Sequence, residues 1–590
     1  FDPNYDGQTF DLSFGHTQRP WLVPLSATEA SPFGPSSQGW RISEVQDAKA
    51  KVNAETSNGE ADETVICHVA ADGFEERMVP FPVPSGSYRD LAVVKDGVVW
   101  IEVADRGGEL GATRAGVTGE APSDVLWHYN LSARHLDKLC ERVDTFSVSG
   151  DGERLVVRHR DDTIVVPSSH KVDDDDPAYI RVDLTRLRRT VNPRAEWRQM
   201  FDENGRLMAS HYWREDMNGV DWDSVLNRYR PLVDLCHVVD DLHDILWETV
   251  AELNTSHSYV SASGAAGDSD MRAGLLGADV SSGNDGAKVV RVIPGESSDP
   301  RAWSPLRAAG VAVTEGDVIV AVDGRKVGAD GNLGELLEGS AGRVVELTVR
   351  RGENERQVAV VPMADEAPLR YHDWVASRRR YVEEHSGGRL GYLHVPDMVS
   401  DGWAELHRQI GEATRHEGVI ADVRFNHGGH TSQLVVERLA RRVVGWDYSR
   451  WYATADTYPQ NAVRGPIVMV TNQWAGSDGD IVAAATQAMG YAKVIGERSW
   501  GGVVGIDGRF DLVDGTSVTQ PRYAGWYGSY GWGVENHGVD PDIVVTVSPE
   551  DWEADRDVQL DAAIAECLRQ LDDKPAATAP ELPGPAFDRC

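Results

Sequence analysis

Positive charge is scarce in this sequence. Its 58 Lys and Arg face 94 Asp and Glu, a formal net charge of −36. A nucleic-acid backbone or an anionic membrane surface requires a basic face, so neither is an expected partner. Cysteine is scarce too. Cys67, Cys140, Cys236, Cys567 and Cys590 are odd in number, far apart, and form no Cys-x-x-Cys pair. That pattern excludes a disulfide framework and a zinc ribbon and points to a reducing, cytoplasmic compartment. No run approaches the ~18–20 apolar residues of a transmembrane helix. An initiating Met is also missing. The chain starts at Phe1 among strand-like residues, as expected for a piece of a longer polypeptide.

What is present is globular and multidomain. A 41% hydrophobic share with 8% aromatics belongs to a folded chain, and 590 residues at roughly 150 per domain give about four domains. Residues 1–180 are strand-rich. Leu91–Val94, Val98–Val103, Leu155–Val157 and Thr163–Val166 alternate with turn signals such as Ser149 to Gly152, and Asn4 to Gly7 before Thr9–Leu12 is a weaker echo. Units at this spacing read as blades of a partial β-propeller, although an antiparallel sandwich carries the same pattern. The acidic run Asp173–Asp176 reads as a solvated linker. Residues 181–262 turn helical. Asn192 is placed as N-cap before Pro193, and further helices are expected over Trp222–Tyr229 and His237–Leu253. Residues 263–363 return to strands. Residues 364–570 alternate strands (Arg389–Val395, Gly418–Val423, Pro466–Thr471, Lys493–Gly496) with helices (Trp403–Ala413, Gln433–Val444, Asp480–Met489), the pattern of an α/β sandwich domain. The Pro- and Ala-rich tail, 571–590, reads as flexible.

Two segments offer acyl chemistry. The apolar strand from Ile467 runs through Gly476 to Ser477, and a helix follows at once. A Ser there meets free N–H groups and the helix dipole, as a nucleophile at an acyl centre requires, yet Ser is equally a favoured N-cap. The strand from Ala421 ends in Gly428-Gly429, where backbone can approach a ligand and present an N–H; an ordinary turn looks the same. His427 and His430 flank that pair with no third ligand at metal spacing, so neither metal nor organic cofactor is expected. His257, among the hydroxyls of Ser256, Ser258 and Tyr259, is a candidate base. Glu535, in Gly533–Asp542, is a candidate distal acid. Taken singly, each is as readily a structural residue.

The order of 263–363, with Gly274-Leu-Leu-Gly277 ahead of Asp317–Gly324, resembles a PDZ domain, whose glycine-flanked loop offers N–H groups to a peptide carboxylate. Ser256-His257, this insertion, Asp422–Gly429, Ala475–Asp480 and Val534–Asp542, in that order, resemble the tricorn proteases, large self-compartmentalising peptidases. The resemblance spans essentially the whole chain, as the end of the second propeller and the helical, PDZ-like and α/β domains. It implies a tetrad: Ser477 as nucleophile, His257 as general base, Ser256 and Glu535 orienting and polarising it. The N–H of Asp478 and one N–H of Gly428 or Gly429 would form the oxyanion hole. It also implies a homo-hexamer, peptide substrates released by a larger protease such as the proteasome, and aminopeptidase partners. Asp447 falls where the family resembles a chain with an acid, lent by a neighbouring subunit, that selects a basic residue before the cleaved bond; alone, it is a turn residue after Gly445.

The related C-terminal-processing peptidases use a Ser/Lys dyad, with the Lys about 25 residues after the Ser, as the resemblance implies. Here only Lys493 and Lys574 follow Ser477, and the dyad position falls near Trp500-Gly-Gly502. A lipase is disfavoured because Gly476 and Gly479 miss Gly-x-Ser-x-Gly and His257 precedes Ser477. A non-catalytic peptide-binding scaffold is the rival from another class, and all four tetrad positions hold competent residue types.

Overall fold

The computed structural model describes residues 3–6, 11–14, 18–25, 33, 69–71, 75–104, 123–160, 162–262, 271–299, 301–328, 331–451, 453–507 and 509–582. Cys67, Cys590, the turn expected at Gly7 and the tail's last eight residues lie outside these. The chain forms two compact units, the first made mainly of residues up to Thr190 and the second mainly of those from Val191 on.

The first unit opens with the antiparallel pairs β1–β2 (Pro3–Asp6, Asp11–Phe14) and β3–β4 (Trp21–Leu22, Val79–Pro80). Two four-stranded antiparallel meanders follow. One comprises β5 (Tyr88–Val94), β6 (Gly97–Glu102), β7 (Val125–Asn130) and β8 (His135–Glu141). The other comprises β9 (Thr145–Val148), β10 (Arg154–His159), β11 (Asp162–Pro167) and β12 (Ile180–Val182). Four strands in up-and-down order are the make-up of a propeller blade. In β10 alternate residues Leu155 and Val157 point inward to join Val99, Ile101, Leu126 and Leu139. Strand β12 pairs with β11, so the sheet runs past the expected boundary at 180.

The second unit starts with three helices. Helix α1 (Pro193–His211) begins as its sequence requires, Asn192 Oδ1 accepting the Ala195 N–H at 3.3 Å with Pro at the first turn. Helices α2 (Trp222–Val233) and α3 (Val239–Ala251) complete the layer; Leu242, Leu246 and Val250 of α3 pack on Met200, Phe201 and Met208 of α1. Helix α3 stops at Ala251, earlier than expected, and Asn254 has φ +48°. The chain then enters β13 (Val260–Ser261).

A six-stranded sheet, five of its strands in the order β14-β15-β16-β18-β19, forms the insertion: β14 (Ala278–Gly283), β15 (Gly286–Val292), β16 (Val318–Val322), β18 (Val345–Arg351) and β19 (Asn354–Val360). Strand β17 (Arg325–Lys326) pairs with β16 off that path, and α4 (Leu333–Leu336) sits among them. Helix α5 (Ala367–His385) leads on to a parallel sheet of order β20-β21-β24-β25-β29, built on β20 (Leu390–His394), β21 (Gly418–Asp422), β24 (Ile467–Thr471), β25 (Ala492–Gly496) and β29 (Ile543–Val544).

Helices cover both faces of that sheet, which is why its strands read as mainly apolar runs rather than alternating ones. Ile467 and Met469 face α6 (Ser400–Ala413), α7 (Ser432–Leu439) and α8 (Asp478–Met489). Val468 and Val470 face α5 and α10 (Val558–Asp573), the helix that follows the short α9 (Pro549–Glu553). Three small pairings stand outside the sheet. Strand β22 (Gly445–Asp447) pairs with β23 (Asp456–Tyr458), β26 (Gly505–Asp507) with β28 (Gln520–Tyr523), and β27 (Ser517–Val518) with β13.

The first part of the tail makes contacts: Ala577 donates its N–H to the Arg464 carbonyl at 2.8 Å, Ala576 packs on the α10 core, and the Tyr448 hydroxyl donates to the Pro580 carbonyl. Among the described residues no helix is long and apolar enough to cross a membrane.

Candidate active site

The site lies beyond the carboxyl ends of β21 and β24, where open α/β sheets place their ligands. Strand β24 delivers Ser477 at the entry to α8. Ser477 has φ +57° and ψ −120°, a conformation L residues rarely adopt and one that holds the side chain off the helix it precedes. It is half-buried between the buried Gly476 and Asp478.

Strand β21 delivers Gly428 against it. A Cβ on Gly428, φ +75°, would stand 2.5 Å from Ser477 Cβ and 3.1 Å from its Oγ, so only glycine fits there. The two turns are sewn together by Asn426. Its carbonyl accepts the Gly476 N–H at 3.0 Å, its Oδ1 accepts the Gly428 N–H at 2.9 Å, and its Nδ2 donates to the Val395 carbonyl at 2.8 Å. Of the two glycine amides predicted for an oxyanion hole, that of Gly428 is therefore taken. The N–H groups of Gly429 and Asp478 have no acceptor among the described residues. The Asp478 carboxylate accepts the Ser432 N–H at 2.9 Å, tying α8 to the start of α7, and burial pushes it up to about 6.

His257 arrives from the far side of the insertion. Strand β13 is paired with β27, Val260 opposite Val518, and those two residues join the three-helix core. Thr519 fixes the intervening backbone: its hydroxyl donates to the His257 carbonyl at 2.9 Å and accepts the Tyr259 N–H at 2.7 Å. Glu535 accepts four hydrogen bonds. Ser256 N–H (2.8 Å) reaches Oε1, and the Ser256 hydroxyl (3.1 Å), Val503 N–H (2.8 Å) and Val504 N–H (3.0 Å) reach Oε2.

A carboxylate only accepts, so the Ser256 hydroxyl spends its proton on Glu535. Its oxygen, 3.1 Å from His257 Nδ1, is left to accept from Nδ1–H. The imidazole is thereby held in the tautomer whose Nε2 carries the free lone pair. Burial lowers the His257 pKa, opposed by the nearby Glu535 charge, so the ring is neutral near pH 7.

No hydrogen bond joins His257 to Ser477 among the described residues. Trp500 touches both sides: its ring meets that of His257 edge-on at 5.5 Å and lies against Gly476. The stretch where a dyad lysine would fall, Trp500 to Gly502, instead gives the Gly501 and Gly502 N–H groups to the buried Asp480 carboxylate at 2.8 and 3.1 Å. Lys493 is exposed and faces Asp542 at 3.6 Å.

Residues 193–251, 274–365 and 389–545 match, in turn, the models of the tricorn protease C1 domain, the tricorn protease PDZ domain and peptidase family S41. The chain is 53% identical over 588 residues to tricorn protease homolog 1 of Streptomyces coelicolor, covering 99% of this chain and 54% of that protein. It is 32% identical over 571 residues to the tricorn protease of Thermoplasma acidophilum, covering 97% of this chain and 50% of that protein. The crystal structure of the tricorn protease superimposes with a TM-score of 0.81 at 30% identity, over 97% of this chain and 53% of that one.

The chain belongs to the tricorn protease family.

It spans about half the length of these relatives. Within this tricorn-family chain, the structure gathers Ser256, His257 and Glu535 into one hydrogen-bonded group and Ser477, Asp478, Gly428 and Gly429 into one turn cluster. Asp447 is apart from both: it is exposed in β22, opposite Asp456 of β23, and no described contact joins it to either group. Sequence reasoning did not single out Asn426, Thr519, Asp480 or Trp500 as parts of the site. Each works through a partner distant in sequence or through backbone, and residue type alone carries no signal for that. Only the Phe425-Asn-x-Gly-Gly429 spacing hinted at Asn426.

Proposed function

We propose that this chain carries the catalytic half of a tricorn-type serine peptidase that hydrolyses short peptides through an acyl-enzyme. The observation that supports it most is the Glu535–Ser256–His257 relay, which fixes the imidazole tautomer a general base needs and does so across 279 residues of sequence separation. His257 Nε2 takes the Ser477 proton as Oγ attacks the peptide carbonyl. Ser256 and Glu535 steady the imidazolium that forms. The N–H groups of Asp478 and Gly429, free of other acceptors, bind the oxyanion. His257 then passes its proton to the leaving amine, and water repeats the cycle on the acyl-enzyme.

Homo-hexameric assembly, a cytoplasmic setting, supply of peptides by a larger protease such as the proteasome, aminopeptidases taking the products, and selection of a basic residue by Asp447 belong to the same reading, on the strength of the family. The test is labelling with a fluorophosphonate followed by peptide mapping. Modification at Ser477, lost in His257→Ala, is expected; an unlabelled Ser477 in a folded chain that binds peptides would make this a scaffold.

A further inference from the structure

The loop that makes the insertion resemble a peptide-carboxylate receptor is already filled. Gly277 donates its N–H to the Glu366 carboxylate at 2.7 Å, Leu275 to the Met363 carbonyl at 2.8 Å, and Gly274 to the Leu337 carbonyl at 2.8 Å. Glu366 immediately precedes α5, and its side chain is only 12% exposed. Arg370 holds the same carboxylate through Nε at 2.7 Å and reaches Asp279 of β14 at 2.9 Å. Leu369 is fully buried with Ile293 and Ala302, and a Cβ on Gly277 would strike it at 2.8 Å. One turn further on, Asp373 pairs with Arg291 of β15. Strand β14 is the edge strand beside this loop, the place where an added peptide would pair.

Helix α5 continues from there to the oxyanion turn. Tyr371 Oη lies 3.1 Å from His394 Nδ1, and the Trp374 ring meets His394 at 4.8 Å and Phe425 at 6.2 Å. His394 Nε2 lies 2.9 Å from the Arg424 carbonyl, two residues before Asn426.

We propose that Glu366 is an internal ligand of the PDZ-like domain: its carboxylate occupies the loop in place of a peptide's, closing that loop to other carboxylates and seating α5 against the oxyanion turn. Glu366 is thus a positioning residue, and this second role rests on the peptidase reading above; the first does not. An amide oxygen keeps one acceptor for the Gly277 N–H, whereas a methyl keeps none.

The test uses the full chain as wild type, Glu366→Gln and Glu366→Ala. Hydrogen exchange read by mass spectrometry over 274–277 and 367–374 is expected to quicken at least ~10-fold in Glu366→Ala and less in Glu366→Gln, since an opened cap frees those amides. Fluorescent decapeptide pools ending in Val, Leu or Phe, with a free carboxylate or an amide, are measured against the same chains in a Ser477→Ala background. Carboxylate-dependent binding is expected only where Glu366 is Ala. In active chains kcat should fall several-fold in Glu366→Ala at unchanged KM, and Glu366→Gln should recover part of it. Unchanged exchange in Glu366→Ala, or carboxylate-dependent binding by wild type at that loop, overturns the internal ligand. Unchanged kcat with a visibly opened loop overturns the positioning role. Exchange and binding need no turnover, so a chain that hydrolyses nothing still decides the first role.

Discussion

In the proposed mechanism the residues of the site fall into those that react and those that hold them. Ser477 is the proposed nucleophile, so in Ser477→Ala kcat is expected to fall by a factor on the order of 10⁶ with the fold unchanged; steady-state hydrolysis with circular dichroism as the fold control checks it, and a tenth of the activity remaining would dismiss the nucleophile. The pH dependence carries a sign. Burial lowers the His257 pKa, the base must be unprotonated, and activity is therefore lost as pH falls through a value below the ordinary ~6.5. The Glu535 charge raises that pKa, so Glu535→Gln should move the acid limb of kcat/KM to still lower pH. The same change should cut kcat by roughly 10² to 10⁴, because an amide has one acceptor atom where the carboxylate takes four hydrogen bonds. Asp478, pushed up to about 6, titrates nearby, and Asp478→Asn separates the two: the limb should persist in that variant. A limb that vanishes with Asp478 would transfer the titration from His257.

At the scale of elements, two strand ends and two helix starts are locked by glycines and Asn426 rather than by loops free to adjust. Gly428→Ala places a methyl 2.5 Å from Ser477 Cβ at a backbone φ of +75°. The expected result is a folded protein whose rate of fluorophosphonate labelling drops by about 10² to 10³, the size of losing an oxyanion contact. Wild-type labelling in that variant would mean that the two turns are not held against each other. The short pairing of β13 with β27 matters in the same way, since it ties the strand after His257 to the one that leads into Thr519, whose hydroxyl holds the His257 carbonyl.

For the whole molecule, the charge of −36 gives the substrate question a direction. Asp447 and Asp456 stand opposite each other on an exposed hairpin, and like charges in directly paired positions oppose each other. A cation placed between them relieves that repulsion, which fits selection of Lys or Arg before the cleaved bond. No contact among the described residues joins Asp447 to its own Ser477, and in the proposed hexamer the acid is expected to serve a neighbouring copy. Asp447→Asn should lower the Arg-over-Leu ratio of kcat/KM for otherwise identical peptides, by about tenfold if a charged hydrogen bond is lost. It should do so in the assembled form only. An unchanged ratio removes Asp447 from specificity.

The sequence by itself determined the elements and their kind. Runs such as Ile467 to Val470 are apolar throughout because both faces are covered, Asn192-Pro193 caps a helix by local chemistry, and Gly-Ser-Asp at 476–478 marks a strand-to-helix turn whatever surrounds it. Reading the motifs in order also named Ser256, His257 and Glu535 together, and these three are hydrogen-bonded in the fold. What only the tertiary structure decided depends on groups that sequence spacing cannot bring together. Which glycine amide is free follows from where the Asn426 side chain points. The tautomer of His257 follows from a carboxylate 278 positions later in the chain. The tail's composition says nothing of its partners, and the Arg464 carbonyl and the Tyr448 hydroxyl meet it at Ala577 and Pro580. A loop built to take a carboxylate proved to be filled by Glu366, because burial and hydrogen bonding are settled by the nearest group in space, whatever its place in the chain.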